Sequence, residues 1–362
     1  VVPTLLAMAA TAGAVTILFS LAGSTQRTLE KVVDDANMVV VTEGAQLEPA
    51  SNLTTEALSD IRVAPGVAQW AGSPAVSAEY MGTLWLDDAE TGVPKLVRIR
   101  GVDASTLPIH SGAHVVSGRL PERGEPGVVV GRALLGRFVD IREGGAVHFG
   151  RHDWPVLGVL EAGSALDSEL WCDRAALMEE FHHSSASLAY VRIDDPAHRS
   201  EFASHVRRLK GLEAIPEREL MERRMKLSGV ESQARILEAL SLLLVFGAVF
   251  ATLNALHGSF QSRLRELATL LAIGYRKRLV LRLALQESLL ISVCAAAVGL
   301  PLGMLIEGRR FTYGSSLFYA VHVDGRALAY GAVSIGGVGL LGAILAAWQV
   351  GRLNVLRTLR DA

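Results

Sequence analysis

The stretch Leu283 to Leu305, LALQESLLISVCAAAVGLPLGML, runs 23 residues with one charged side chain, Glu287. As a helix rising 1.5 Å per residue it would reach ~35 Å, enough for the ~30 Å hydrocarbon core of a bilayer. Three further stretches share this character: Val1 to Leu21, Ile236 to Leu256 and Leu328 to Val350. The four hold 88 residues and only two charges, Glu238 and Glu287, in a chain that is 20% charged. About 18 would be expected at the chain average, so all four read as membrane spans.

Working outward, one insertion of 214 residues, Ala22 to Arg235, separates the first span from the second. This excludes a soluble enzyme and a wholly embedded channel, and it is long enough to build its own core as two subdomains. The net charge of −2 gives no pull toward nucleic acid. Cys172 lies in the insertion and Cys294 in the third span, so no disulfide framework is implied. The first span is longer than a signal-peptide core, and Ser24 stands where a lipobox needs Cys. We expect a retained anchor, preceded by a cytoplasmic start absent from this sequence.

Orientation follows from the basic residues. Between spans two and three, His257 to Arg282 carries Arg263, Arg265, Arg276, Lys277, Arg278 and Arg282 against Glu266 alone. The tail, Gly351 to Ala362, carries Arg352, Arg357 and Arg360 against Asp361. By the positive-inside rule both are cytoplasmic, which puts the N-terminus inside and the large insertion outside. The expected organisation is therefore a first helix and stalk over 1–36 and an extracytoplasmic α+β domain over 37–216, its second subdomain roughly 116–185. A stalk and second helix follow over 217–256, then a cytoplasmic loop over 257–282 and a third helix over 283–306. A short external loop over 307–327, a fourth helix over 328–350 and a tail over 351–362 complete the chain.

Within the outside domain, Met38 to Thr42 is a β-branched run. Thr54 is an N-cap for a helix through Arg62, ended by Pro65-Gly66, and Lys95 to Val102 alternates as a half-buried strand does. Further strands are expected at Val128 to Val130, Ala146 to Phe149, Trp154 to Leu160 and Ser187 to Ile193. Helices are expected at Arg132 to Phe138, Arg174 to Phe181 and Pro196 to Leu209. From Glu217 the chain runs without proline into the second span, so Glu217 to Leu256 reads as one rod of ~60 Å; Gly229 is its weak point, and a break there remains the alternative.

Catalytic chemistry is not visible. No Gly-Lys dipeptide exists to build a phosphate-binding loop, and neither G-x-S-x-G nor H-E-x-x-H occurs. The pairs His110/His114 and His148/His152 sit in loop- or strand-like surroundings and read as solvated histidines rather than a metal site, and His182-His183 follows a helix end. The polar residues of the spans all lie near span ends, which disfavours an ion path. Gly299, Gly303 and Gly339 are small enough to let another helix approach closely. In the cytoplasmic loop, Leu264, Leu267, Leu270 and Leu271 share one face of a short helix with Arg263 and Glu266 off it, and Gly274 is a natural stop. That helix is either a lever for a partner or a positive-inside anchor.

These residues resemble the MacB/FtsX-type permeases, the type VII ABC transporter family, over nearly the whole chain. The most specific part is Asn254, then Arg263-Leu-Arg265-Glu266-Leu267-Ala268-Thr269-Leu270, then Ala272-Ile273-Gly274-Tyr275-Arg276-Lys277, then Glu287-Ser288-Leu289-Leu290 and the pair Gly299 and Gly303. In the outside domain, Ser117-Gly118-Arg119, GVVVG over 127–131, Gly144, WPVLGVL over 154–160 and Asp167 to Trp171 look like the family's periplasmic core. Leu271 and Val355 depart from the family's Arg and Pro. The resemblance implies a non-catalytic permease of the inner (cytoplasmic) membrane whose 259–274 segment is a coupling helix on a separate ATPase subunit. ATP and Mg would be bound by that partner and no cofactor by this chain. It also implies a homo- or heterodimer of permeases. The expected function is mechanotransmission for export or extraction of a lipoprotein, lipid or hydrophobic compound, with a periplasmic adaptor, lipoprotein or hydrolase as further partner. The alternative is a scaffold that switches a cell-wall hydrolase or a sensor without transport.

Overall fold

The computed structural model describes residues 2–30, 33–45, 50–227, 275–313 and 317–352, with scattered positions between 235 and 273. The chain divides into two units: residues 1–24, 233–309 and 321–362, and residues 25–232 with 310–320.

The helical unit contains α1 (Val2–Glu30), α7 (Lys277–Met304) and α8 (Gly325–Arg352), numbered along the whole chain. Among the described residues two helical segments are long and apolar enough to cross a membrane, Val2–Thr28 and Leu285–Met304, with mean hydropathy 2.0 and 1.7. The described positions of the second apolar stretch, among them Ile236, Leu240 and 242–247, are helical. The centre of the unit is small: Met8, Ala9, Ala12, Ile291, Ala295, Ile335 and Val338 form its buried cluster. α7 starts at Lys277, six residues before the apolar stretch, so the basic Lys277, Arg278 and Arg282 belong to a helix and not to a loop.

The second unit is built on one ten-stranded mixed sheet. Its elements in chain order are β1 (Asn37–Thr42), α2 (Thr55–Arg62), the small hairpin β2 (Gln69–Trp70) and β3 (Ser73–Pro74), β4 (Val76–Asp87), β5 (Pro94–Val102) and α3 (Thr106–Ile109). There follow β6 (His114–Gly118), β7 (Val128–Gly131), β8 (Ala146–Phe149), β9 (His152–Glu161), β10 (Glu169–Asp173), α4 (Arg174–Glu180) and β11 (Leu188–Arg192). α5 (Arg199–Arg208), β12 (Leu212–Pro216) and α6 (Glu217–Leu227) close the long insertion, and the hairpin β13 (Arg310–Tyr313) and β14 (Leu317–Ala320) joins α7 to α8. The strand order is β12-β1-β11-β4-β5-β10-β7-β9-β6, with β8 paired to β9.

β4 is the shared strand. Its first half pairs with β11 and its second half with β5, and the core changes along it. On one side Val39, Val41, Leu53, Ile61, Leu188, Val191, Phe202 and Val206 form an aliphatic core under α2 and α5. On the other Tyr80, Val97, Ile99, Leu134, Phe138, Phe149, Trp154 and Leu170 form a core richer in aromatic rings. The second lobe thus begins near Tyr80, well before the expected 116, because β4 and β5 contribute to it.

The local reasons match the sequence at several points. Thr54 caps α2, accepting from the Ala57 amide at 3.3 Å, and Asp173 caps α4 through Ala176 at 2.9 Å. Two expectations fail. Arg132 to Phe138 is a chain of turns, because Gly136 takes φ 68°, while Leu134, Phe138 and Ile141 drop into the core. The expected external loop 307–327 holds the hairpin β13–β14, which belongs to the sheet unit.

Candidate functional site

The coupling segment 259–274 falls almost wholly outside the described residues; Arg263, Arg265, Glu266, Leu267, Leu270 and Gly274 are among those not described. Its described edge is informative. The Ile273 amide donates to the Thr269 carbonyl at 3.0 Å, a helical bond, and Arg276 then takes ψ 134°, which ends that conformation before Lys277 opens α7. Here Ile273, Tyr275, Arg276, Arg278, Leu279 and Arg282 line an open cavity of ≈ 560 Å³. Three guanidinium groups around exposed Ile273 and Tyr275 suit a partner presenting carboxylates beside an apolar anchor.

Above this edge the glycines serve contacts inside the chain. A Cβ on Gly303 would stand 2.7 Å from Thr16 Cβ, and one on Gly299 would stand 2.7 Å from Ala12 Cβ. Gly339 faces the Ser292 side chain. Gly299 and Gly303 therefore bring α1 against α7 at backbone distance. Sequence alone left the identity of the approaching helix open.

In the sheet unit, the hairpin β13–β14 is fixed into the aromatic lobe. Phe318 is fully buried and meets Phe138 edge-on, ring centroids 5.4 Å apart. Arg137 stacks over the Phe318 ring at 4.7 Å and donates to Thr312 Oγ1. Ser168 Oγ donates to the Phe318 carbonyl at 2.5 Å and accepts from its amide at 2.9 Å, and Arg310 donates to the Leu135 carbonyl at 3.0 Å. Burying a phenylalanine of this kind stabilises by roughly 3 kcal/mol. A run of four residues, Leu-Phe-Tyr-Ala, was too short to announce this strand in the sequence.

A polar seam lies where the lobes meet. Arg100 on β5 donates through Nε to Glu169 on β10 at 2.6 Å and through Nη1 to Glu79 on β4, all three buried. His110, also buried, lies 2.8 Å from the other Glu79 oxygen, and Ser77 donates to that oxygen at 2.9 Å. Burial alone would raise the Glu79 pKa, but Arg100 and His110 outweigh it and hold it at about 2. The seam reaches the stalk through Asn37, which donates to the Ile109 carbonyl at 3.2 Å and to Glu217, the first residue of α6, at 2.9 Å. Burial raises the Glu217 pKa, opposed in part by His110 and Asn37.

His110 is thus part of the buried seam rather than solvated as expected. His148 and His152 are exposed beside Asp153 and Glu180, and no metal-holding group of His, Cys, Asp or Glu occurs among the described residues. The alternation of Lys95 to Val102 hid Arg100, whose face of the strand is buried too.

The MacB-like periplasmic core domain family matches residues 2–209, more than half of the chain, and the FtsX-like permease C-terminal family matches residues 238–355. The chain belongs to the MacB/FtsX permease family. Members are membrane-embedded subunits with a periplasmic domain, and they work in ABC transporter complexes with an ATPase partner. Among solved structures, the periplasmic region of MacB from Actinobacillus actinomycetemcomitans is similar at 14% identity, over 54% of this chain and 94% of that one, with a TM-score of 0.41. The extracellular domain of the noncanonic ABC-type transporter YknZ from Gram-positive bacteria is similar at 15% identity, over 49% and 99%, with a TM-score of 0.39. No curated protein sequence matches. The MacB/FtsX assignment joins the two units of the fold in one known type of membrane subunit.

Proposed function

We propose that this permease is a mechanical transmitter with four membrane-spanning helices, the fourth being α8, and with both termini in the cytoplasm. ATP and Mg act on a separate ATPase subunit, and this chain binds neither. Arg263, Arg265 and Glu266 present charge to that ATPase, Leu267 and Leu270 anchor the coupling helix, and Gly274 turns the chain toward Tyr275, Arg276 and Lys277. Motion of the coupling helix passes through the second span to α6 and into the sheet unit, which handles a lipoprotein, lipid or hydrophobic compound at the outer face of the inner membrane. Two copies, identical or different, complete the transporter, with a periplasmic adaptor as further partner.

The observation that carries this reading is the hairpin between α7 and α8. A connection of this length needs no strand and no buried ring merely to return the chain. Phe318 sits in the core of the aromatic lobe, so the segment that joins α7 to α8 is itself part of the sheet unit. In this reading, displacement carried into the sheet unit through α6 and through the hairpin segment moves the lobes against each other at the seam.

The test is Glu266→Arg in the full chain co-expressed with its ATPase. A lever predicts loss of ATPase co-purification or of coupled turnover, about 2–5 kcal/mol at the interface if the pair is desolvated, with insertion and folding unchanged. An anchor gains one more cytoplasmic positive charge and behaves as wild type; that result overturns the proposal.

A further inference from the structure

A cleft of ≈ 1160 Å³ opens between the two lobes of the sheet unit. One wall carries Arg62 of α2 and Trp70 of the β2–β3 hairpin, the other carries Arg123 and, on α4, Arg174 and Met178. Binding sites favour such junctions between lobes, where apolar walls meet a few polar groups. Two features of this one are unusual for a gap left by packing.

The first is Trp70, which is 58% exposed. It stands on a hairpin of two-residue strands whose turn takes Ala71 at φ 50° and Gly72 at φ 80°. A left-handed alanine is strained by its Cβ, and here it holds an indole at the rim instead of burying it. The second is Arg174. Its Nε is buried and has no hydrogen-bond partner, Nη1 faces Met178 Sδ at 3.9 Å, and Nη2 comes only within 3.9 Å of Asp103. Asp103 accepts from the amide and hydroxyl of Ser105 through Oδ1 and turns Oδ2 toward Arg174 at 3.9 Å, beyond hydrogen-bond distance, and Asp173 accepts through Oδ1 from the amides of Gly124 and Ala176. A guanidinium with five donors in a fixed fork is therefore left without an oxyanion at hydrogen-bond distance.

The other charges of the cleft divide in the same sense. Arg192 is held by Asp34 at 3.1 Å and His183 packs on Tyr80 with centroids 5.0 Å apart. Arg62 and Arg123 are exposed at the rim with no ion pair among the described residues. The uncommitted acids, Glu122 and Glu179, are exposed at the same rim, and the carboxylate paired with Arg174, Asp103, stands 3.9 Å away.

We propose that this cleft binds an amphiphilic oxyanion. The anionic head, a carboxylate or a phosphate, pairs with the Arg174 fork, and an aromatic or acyl body lies against the walls that carry Trp70 and Met178. Its role as the cargo site rests on the function proposed above; its capacity to bind does not.

The test is calorimetric titration of the full chain in nanodiscs, without ATPase, with 2-naphthoate, 2-naphthyl phosphate and the neutral 2-naphthalenemethanol, against empty nanodiscs. The expected result is that at least one acid binds ten-fold or more tighter than the alcohol. Arg174→Gln should abolish that preference, Arg174→Lys should keep part of it, and Trp70→Leu should weaken all three probes alike. The order of the two acids tells a carboxylate site from a phosphate site. Equal binding of alcohol and acids, or Arg174→Gln binding as wild type does, overturns the proposal. Trp70 is exposed, so its variant keeps the test open if Arg174→Gln does not fold. Because no nucleotide is present, a Glu266→Arg result against the coupling lever leaves this measurement untouched, and the reverse holds equally.

Discussion

The helical unit and the sheet unit solve the same packing problem with opposite materials. Between α1 and α7 the contact is made of Ala9, Ala12, Gly299 and Gly303, side chains so small that the backbones touch. Between the two lobes of the sheet the contact is made of the ion pairs of Arg100 with Glu79 and Glu169, beside His110, all buried. In lipid, apolar surface gives no drive for association, so close van der Waals approach has to hold helices together. In a water-exposed domain, a buried ion pair is costly to desolvate and adds little net stability, but it tolerates no other register. The helical contact therefore rests on close approach, whereas the seam rests on a fixed set of ionic partners.

Breaking the seam should have the largest effect. Arg100→Met strands two buried carboxylates, and a loss of about 3–5 kcal/mol is expected, read as a large drop in the Tm of the purified chain. The Glu79 carboxyl, held at about 2, adds its own pH signature. Its folded pKa is depressed, so its contribution is present above the ordinary carboxylate range of ~4.3 and disappears as pH falls toward 2. A small Tm change in Arg100→Met would show that the seam is replaceable packing.

Overfilling the helical contact should come next. Gly303→Val must push Thr16 aside at a spacing no Cβ accepts, costing about 1–3 kcal/mol. Its signature is cross-linking: a cysteine pair placed across α1 and α7 should lose efficiency, while the Tm of the outer domain stays as it was. Unchanged cross-linking would mean that the close approach is dispensable.

The smallest effect is expected at Glu217→Gln. Burial raises this carboxyl, so its favourable contribution is full below ~4.3 and lost as pH rises through the folded value. The amide removes that loss, and the Tm should rise by about 1–3 °C at pH 7.5 but not at pH 4. A fall at pH 7.5 would make the charge itself a structural element of the stalk.

The sequence spoke clearly where one residue type carries one meaning. Apolar stretches announced the two described helices long enough to cross a membrane, Thr54 the start of α2, and β-branched runs such as Met38 to Thr42 their strands. It was silent where burial contradicts residue type. β4 is the longest strand of the sheet, yet Glu79 in its middle erases the apolar pattern, and Arg100 makes a buried face of β5 look solvated. Phe318 and Ser168 are 150 residues apart, and nothing local in Leu317 to Ala320 marks the hairpin as part of a distant core. Arg132 to Phe138 reads as a helix until Gly136 is placed in its left-handed turn. Of the coupling surface, the described residues hold Ile273 and Tyr275 to Arg282; the charged pattern around Glu266 rests on sequence and family alone.

The central claim is that work done at the cytoplasmic helix moves the two lobes of the outer domain. It is tested most directly by double electron–electron resonance between spin labels at Ser59 on α2 and Arg151 beside β9, in a Cys294→Ser background, with and without ATP on a hydrolysis-deficient partner. The account predicts that ATP shifts the distance distribution by several ångströms, and that Glu266→Arg or Phe318→Ala abolishes the shift. One distribution, unmoved by nucleotide in the assembled complex, would contradict it.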